Sequence, residues 1–220
     1  MKDKAVVVIF MVVLMLPLSG TQAQTTKPAT TRLSSELLDR IQRNLGKIKT
    51  VEGDFLQEKH LAILDHVLTI KGHFAMQKPD RLIWIVHDPV RYAIRVSGDE
   101  VRQWDEDTKH VDVINLAGDP TFKAVSQQIQ GWFLGDYKSL AQNYDANVLG
   151  DKPLILAFTP KAGTMVAKML SHIQVTFAAG DQYVEKMAID ETDGDRTTVE
   201  FIHVQVNQPI AEDVWRIPPK

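Results

Sequence analysis

Residues 72–105 read GHFAMQKPDRLIWIVHDPVRYAIRVSGDEVRQWD, and their rhythm decides the fold. Large apolar side chains recur at every second position: Phe74 and Met76, then Leu82, Trp84 and Val86, then Tyr92, Ile94 and Val96. A period of two puts such residues on one face of a half-buried strand. Lys78-Pro79-Asp80, His87-Asp88-Pro89 and Ser97-Gly98-Asp99 separate the runs with turn chemistry. The stretch carries no recognisable catalytic group. It reads as sheet that presents Trp84, Trp104 and their neighbours on one apolar face, which points to holding an apolar molecule.

The same rhythm extends in both directions. Val51, Gly53 and Phe55 alternate with Glu52, Asp54 and Leu56, and His66, Leu68, Ile70, Gly72, Phe74 and Met76 share a side. Short strands follow near 101–104 and 110–114, then at 147–149, 154–159, 166–177, 183–191 and 197–205. The spacing predicts ten or eleven strands in one antiparallel sheet that curls. Two segments break the pattern. Leu38, Ile41, Leu45 and Ile48 recur at helical spacing after a capping Ser34 or Ser35. Residues 118–143 form a helical insertion, with Phe122, Val125, Ile129 and Trp132 on one stripe and Gly135-Asp136 as a break. The expected class is mainly β (α+β): an incomplete antiparallel barrel with a concave apolar face, covered by the N-terminal helix and a central helical lid.

The N-terminus has the form of a secretory signal. Lys2 and Lys4 precede an apolar run from Ala5 to Leu16, followed by Pro17 and a small-residue stretch ending at Ala23. The run is shorter than the roughly 20 residues a membrane span needs. Cleavage is expected after Ala23, with 24–33 a flexible leader and 34–220 a single domain. The chain has no cysteine, which removes disulfides, thiol catalysis and an N-terminal lipid anchor together. A soluble periplasmic protein is the expectation. The whole chain carries 25 Lys and Arg against 28 Asp and Glu, and loss of Lys2, Lys4 and Asp3 leaves a net charge of about −4. That balance argues against nucleic acid and for only transient contact with anionic membranes.

A search for chemistry finds little. Among the seven histidines, His60, His66 and His73 are separated by six and seven residues on strands, and no HExxH or HxH occurs; no metal site is expected. Asp105-Glu106-Asp107 and Asp190-Glu191-Thr192-Asp193-Gly194-Asp195 read as solvated turns, and the second lacks the spacing of a calcium loop. No GxSxG, phosphate-binding glycine loop or GxGxxG is present. No enzyme activity and no cofactor are expected.

The motifs Val51–Gln57, Gly72-His73-Phe74…Lys78-Pro79-Asp80…Leu82-Ile83-Trp84, Asp88-Pro89, Ser97-Gly98-Asp99 and Trp104-Asp105 resemble the LolA-type periplasmic carriers of outer-membrane lipoproteins. A weaker echo lies in Leu156–Lys161. The resemblance covers the mature chain. It implies an open barrel closed by a helical lid, a cavity for acyl chains, and a monomer that meets acylated lipoprotein cargo, an inner-membrane release transporter and an outer-membrane acceptor. It also implies that the basic residue before the motif Pro, here Lys78, helps hold the lid, and that the position of Leu82 takes part in partner transfer. Both depart from the best-known pattern, which has Arg and an aromatic there; Lys lacks the planar fork of Arg. On this reading Ile70, Phe74, Met76, Leu82, Trp84, Ile94 and Trp104 line the cavity, while Leu38, Ile41, Lys78, Phe122, Ile129 and Trp132 belong to the lid. A carrier of another acylated amphiphile, such as a glycolipid or a pigment-linked acyl chain, and a lipid-sensing regulator of the RseB type are the alternatives.

Overall fold

The computed structural model of the protein describes residues 31–62, 66–116, 131–133, 135, 137–164 and 166–219. Twelve strands form one antiparallel sheet: β1 (Thr31–Arg32), β2 (Thr50–His60), β3 (Val67–Gln77), β4 (Arg81–Asp88), β5 (Tyr92–Ser97), β6 (Glu100–Asp105), β7 (Val111–Asn115), β8 (Tyr144–Asp151), β9 (Leu154–Pro160), β10 (Leu170–Phe177), β11 (Val184–Glu191) and β12 (Arg196–Val206). Their order is β1-β8-β9-β10-β11-β12-β2-β3-β4-β5-β6-β7. The end strands β1 and β7 are not neighbours in that order, so the barrel is open. The strand beyond the expected ten or eleven is β1, which pairs Thr31 with Val148 and Arg32 with Asn147. The end of the segment read as a flexible leader is therefore stitched into the sheet.

Register follows from the alternation. In the β3–β4 hairpin Met76 faces Leu82 and Phe74 faces Trp84, so the turn at Lys78–Asp80 keeps both pairs on one face. β4 and β5 then match Leu82 with Val96 and Trp84 with Ile94. On the other side β2 pairs with β3 without interruption from Thr50–Gln77 to His60–Val67. Near 166–170 the expected continuous strand is broken: Val166–Lys168 is a 3-10 turn and β10 starts at Leu170.

Helix α1 (Ser35–Gly46) begins where the serines place it, with the Leu37 N–H donating to Ser34 Oγ at 3.2 Å. Ile41 and Leu45 are fully buried against the sheet and Leu37 and Leu38 partly so. Helix α2 (Tyr137–Asn143) runs directly into β8. Residues 131–133 form a further helical turn; most of the helical insertion read from the sequence, including Phe122 and Ile129, lies outside the described residues. No helix among the described residues is long and apolar enough to cross a membrane.

The sheet has two apolar layers of unequal size. The larger lies on its inner face and runs from Ile41 and Leu45 through Phe55, Phe74, Trp84 and Ile94 to Phe158, Phe177 and Phe201. The smaller lies on the outer face of β3–β6: Ala75, Ile83, Ile85, Ala93 and Trp104, covered by Trp215 with Ile210, Val214 and Ile217. Trp215 belongs to a 3-10 turn, Glu212–Trp215. The Arg81 guanidinium sits 4.3 Å from the centre of its ring and pairs with Glu212 at 3.2 Å, while Arg95 donates to the Trp215 carbonyl at 3.2 Å. The C-terminal segment is thus strapped across the outside of the sheet.

Candidate functional site

The inner face is built by strand parity. Phe74 on β3 and Trp84 on β4 are direct cross-strand partners, and Phe55 on β2, opposite Gly72 on the adjacent row of the same face, reaches across to them. The Phe55 and Trp84 rings stack with centroids 3.8 Å apart, and Phe201 on β12 meets Phe74 edge-on at 5.0 Å. Gly72 makes the stack fit. A Cβ there would overlap the Ile85 carbonyl oxygen and the Phe55 ring, so the ring lies against bare backbone. A second aromatic set occupies the other wing of the sheet: Tyr144 on β8, Phe158 on β9, Phe177 on β10 and Tyr137 on α2.

Ile70, Phe74, Met76, Leu82, Trp84 and Ile94 all sit in the inner layer, Ile70 at its margin. Trp104 does not. In β6 the inward residue is Val101, so position 104 points outward, and Trp104 packs under the C-terminal strap beside Ala93. Of the residues assigned to the lid, Leu38, Ile41 and Trp132 pack onto the inner layer. Phe133 joins them between Phe201 at 5.2 Å and Phe74 at 6.4 Å. Phe133, Phe158 and Phe201 belong to the site without having been expected there from the sequence. The alternation Leu154-Leu156-Phe158 and Val199-Phe201 carries the signal for two of them.

Lys78 holds the end of α1. Its Nζ donates to the Gly46 carbonyl at 3.2 Å and reaches the Leu45 carbonyl at 3.5 Å, and its backbone N–H donates to Lys49 O at 2.8 Å. A cation at a helix C-terminus meets unpaired carbonyls and the negative end of the macrodipole. Burial holds the Lys78 ammonium below its ordinary pKa. Leu45 also rests on Gly135, whose φ is +87° and whose added Cβ would come within 2.6 Å of the Leu45 Cβ. Leu82 is buried in the inner layer opposite Met76 and presents nothing to the surface.

Two charged clusters flank this apolar layer. The hairpin read as a solvated acidic turn is instead tied inward. Lys59 Nζ lies 3.2 Å from Glu191 and 3.7 Å from Asp195, and the side chains of the first pair are only 4% and 2% exposed. Register explains it: Lys59 pairs with Thr197 on the inward side of β2 and β12, which the turn's own composition could not reveal. Burial pushes the Glu191 carboxyl above its ordinary pKa. Glu191, Asp193 and Asp195 are close enough together to surround a cation, and the Lys59 ammonium already fills that role. On the outer face His73 stands between Asp54 at 3.0 Å and Glu52 at 3.1 Å, and His203 reaches the other Asp54 oxygen at 3.0 Å. Burial alone would raise the Asp54 carboxyl; the hydrogen bonds of His73 and His203 hold it below its ordinary value.

An open antiparallel sheet with a largely apolar inner face, covered by helical segments rather than a second sheet, is an arrangement suited to apolar ligands. The family model described as outer membrane lipoprotein carrier protein LolA matches residues 46–218, and the chain belongs to that family. No curated protein matches it in sequence. Among solved structures it is similar to the MucA/MucB complex of Pseudomonas aeruginosa, at 16% identity and a TM-score of 0.47, covering 83% of this chain and 60% of that one. It is also similar to lipoprotein LppX of Mycobacterium tuberculosis, at 14% identity and a TM-score of 0.45, covering 80% and 97%. A putative outer membrane lipoprotein-sorting protein domain from Vibrio parahaemolyticus matches at 11% identity and a TM-score of 0.43, covering 81% and 94%.

Proposed function

We propose that this protein is a periplasmic carrier, exported by a signal cleaved after Ala23, that shields the acyl chains of lipoproteins against its inner face. It takes them from an inner-membrane release transporter and hands them to an outer-membrane acceptor, and it acts as a binding protein rather than an enzyme. The observation that carries this reading is the inner layer itself. Its aromatic rows span both wings of the sheet and are covered by α1 and by the turn at 131–133.

The energetics follow from transfer. Burying hydrocarbon releases roughly 0.8 kcal/mol per CH₂, so about ten methylenes would offset the loss of several covering side chains at 1.5–3 kcal/mol each. Cargo and lid compete for the same surface. Lys78 sets part of that balance, because it holds the last turn of α1 in the covered state. Release then requires an acceptor whose apolar site is better than this one.

Native mass spectrometry of the protein purified from its own periplasm tests the reading. A bound acylated lipoprotein is the expected species. Equal binding of acylated and delipidated lipoprotein in vitro would refute it. One observation favours a second reading, a carrier for another acylated amphiphile: Leu82 stands buried where the resemblance implies an aromatic for partner transfer. A co-purified glycolipid would decide for that.

A further inference from the structure

Trp132 and Phe133 are neighbours on one helical turn, yet their rings pack against different strands of the one inner layer. Trp132 packs edge-on against Phe158 at 4.8 Å and Tyr144 at 5.5 Å, on β9 and β8. Phe133 packs against Phe201 at 5.2 Å and Phe74 at 6.4 Å, on β12 and β3. In the sheet these two groups of strands are separated by β10 and β11. Successive residues of a helical turn point about 100° apart, so one short segment fills both wings at once. It cannot withdraw one ring without shifting the other. The Tyr137 hydroxyl, donating to the Trp132 carbonyl at 2.9 Å, fastens the turn to α2.

We propose that residues 131–133 are a double plug: each ring occupies the place of one hydrocarbon chain, and the inner face holds two chain-binding compartments that open together. This rests on the carrier reading and adds a specificity to it. A ligand with one chain refills one compartment and leaves the other to water; a ligand with two chains refills both. Two single-chain molecules must therefore bind cooperatively, because the first withdraws the plug for the second.

The test is a titration of the purified protein with laurate below its micelle concentration, followed by calorimetry and native mass spectrometry. Two laurates are expected per protein, with a Hill coefficient clearly above one, and one dilauroyl phosphatidylglycerol should displace both. Phe133→Ala empties one compartment in advance. It should abolish the cooperativity and tighten the first laurate site at least about tenfold, the equivalent of the burial that ring gives up. Phe133→Leu, which keeps the fold and most of the fill, should fall between. Saturation of the wild type at one laurate, or two sites that fill independently, overturns the double plug while leaving carriage intact provided the two-chain lipid still binds. Failure of both lipids to bind overturns the carrier reading and this inference with it.

Discussion

Substituting Gly72 by Ala tests the packing logic of the inner face. The new Cβ would overlap a backbone oxygen, that of Ile85, and the Phe55 ring. The backbone of a central hairpin yields little, so the ring must move, and with it the stack on Trp84 at 3.8 Å. Overpacking a core typically costs about 1–3 kcal/mol, and a lost aromatic pair adds about 0.5–1.5 kcal/mol. The entropic gain of Ala over Gly in a strand returns roughly 0.5–1 kcal/mol. The net expectation is a loss of about 1–3 kcal/mol. For a domain of this size each kcal/mol moves the melting temperature by about 2–4 °C, so the midpoint should fall by roughly 2–12 °C. Thermal unfolding measures that shift and urea unfolding the free energy, both followed by tryptophan fluorescence. A double-mutant cycle isolates the cause: in a Phe55→Ala background the ring is gone, and Gly72→Ala should cost at least about 1 kcal/mol less than in the wild type. Additive costs would refute the claim that Gly72 is there to seat Phe55.

Three further outcomes are expected. Lys78→Met removes the cation from the end of α1; with a net hydrogen-bond contribution of about 1 kcal/mol, a two-chain lipid should bind up to about fivefold tighter, with amide exchange in α1 accelerated, while Lys78→Arg should stay near the wild type. Glu191→Gln removes the carboxylate nearest the buried Lys59 ammonium at 3.2 Å, with Asp195 next at 3.7 Å; a loss of about 3–5 kcal/mol is expected by urea unfolding, against a far smaller one for the double change Lys59→Met with Glu191→Leu, and a single-variant loss under about 1 kcal/mol would count against the buried pair. Because the Asp54 carboxyl titrates below its ordinary value when folded, its contribution is present above the unfolded pKa of about 3.9 and disappears as pH falls through the folded one. The difference in urea midpoint between wild type and Asp54→Asn should accordingly hold steady near pH 5 and shrink below about pH 4.

Where the alternation is clean, side-chain direction is legible in the sequence alone. Phe74, Met76, Leu82 and Trp84 need only the period of two and a turn that closes on itself. Trp104 is not legible, because an apolar residue on the outer face looks like a misplaced inner one until something covers it. Its cover, Trp215, comes from more than a hundred residues further along the chain, and no local pattern announces that contact. The Asp190–Asp195 hairpin misleads in the same way. Its composition is that of a solvated turn, and only the register of β2 against β12 brings Lys59 to it. Thr31 and Arg32 pair with β8 through backbone groups, which any sequence offers. Local chemistry therefore determines the rows of the sheet, while the pieces laid across it are settled by long-range contacts.

Those long-range pieces also link the lid to the plug. Leu45 takes part in three contacts at once: it packs on the inner layer, its carbonyl is within 3.5 Å of Lys78 Nζ, and its side chain lies against the backbone of Gly135. Gly135 stands two residues after Phe133. A shift of α1 therefore cannot leave Gly135 untouched, since a contact this close yields only by moving one partner. Conversely, a ligand that pushes Trp132 and Phe133 out of the two wings presses on the last turn of the helix that Lys78 holds. If Lys78 acts as a latch on the carrier reading, latch and plug meet at the same residue, and opening is then a single event rather than two. Lysine in place of arginine at the latch supplies a point charge without a second directed hydrogen-bond fork, so on the carrier reading the Lys78 ammonium shares the closed state with the Tyr137–Trp132 hydrogen bond and the packing beneath them.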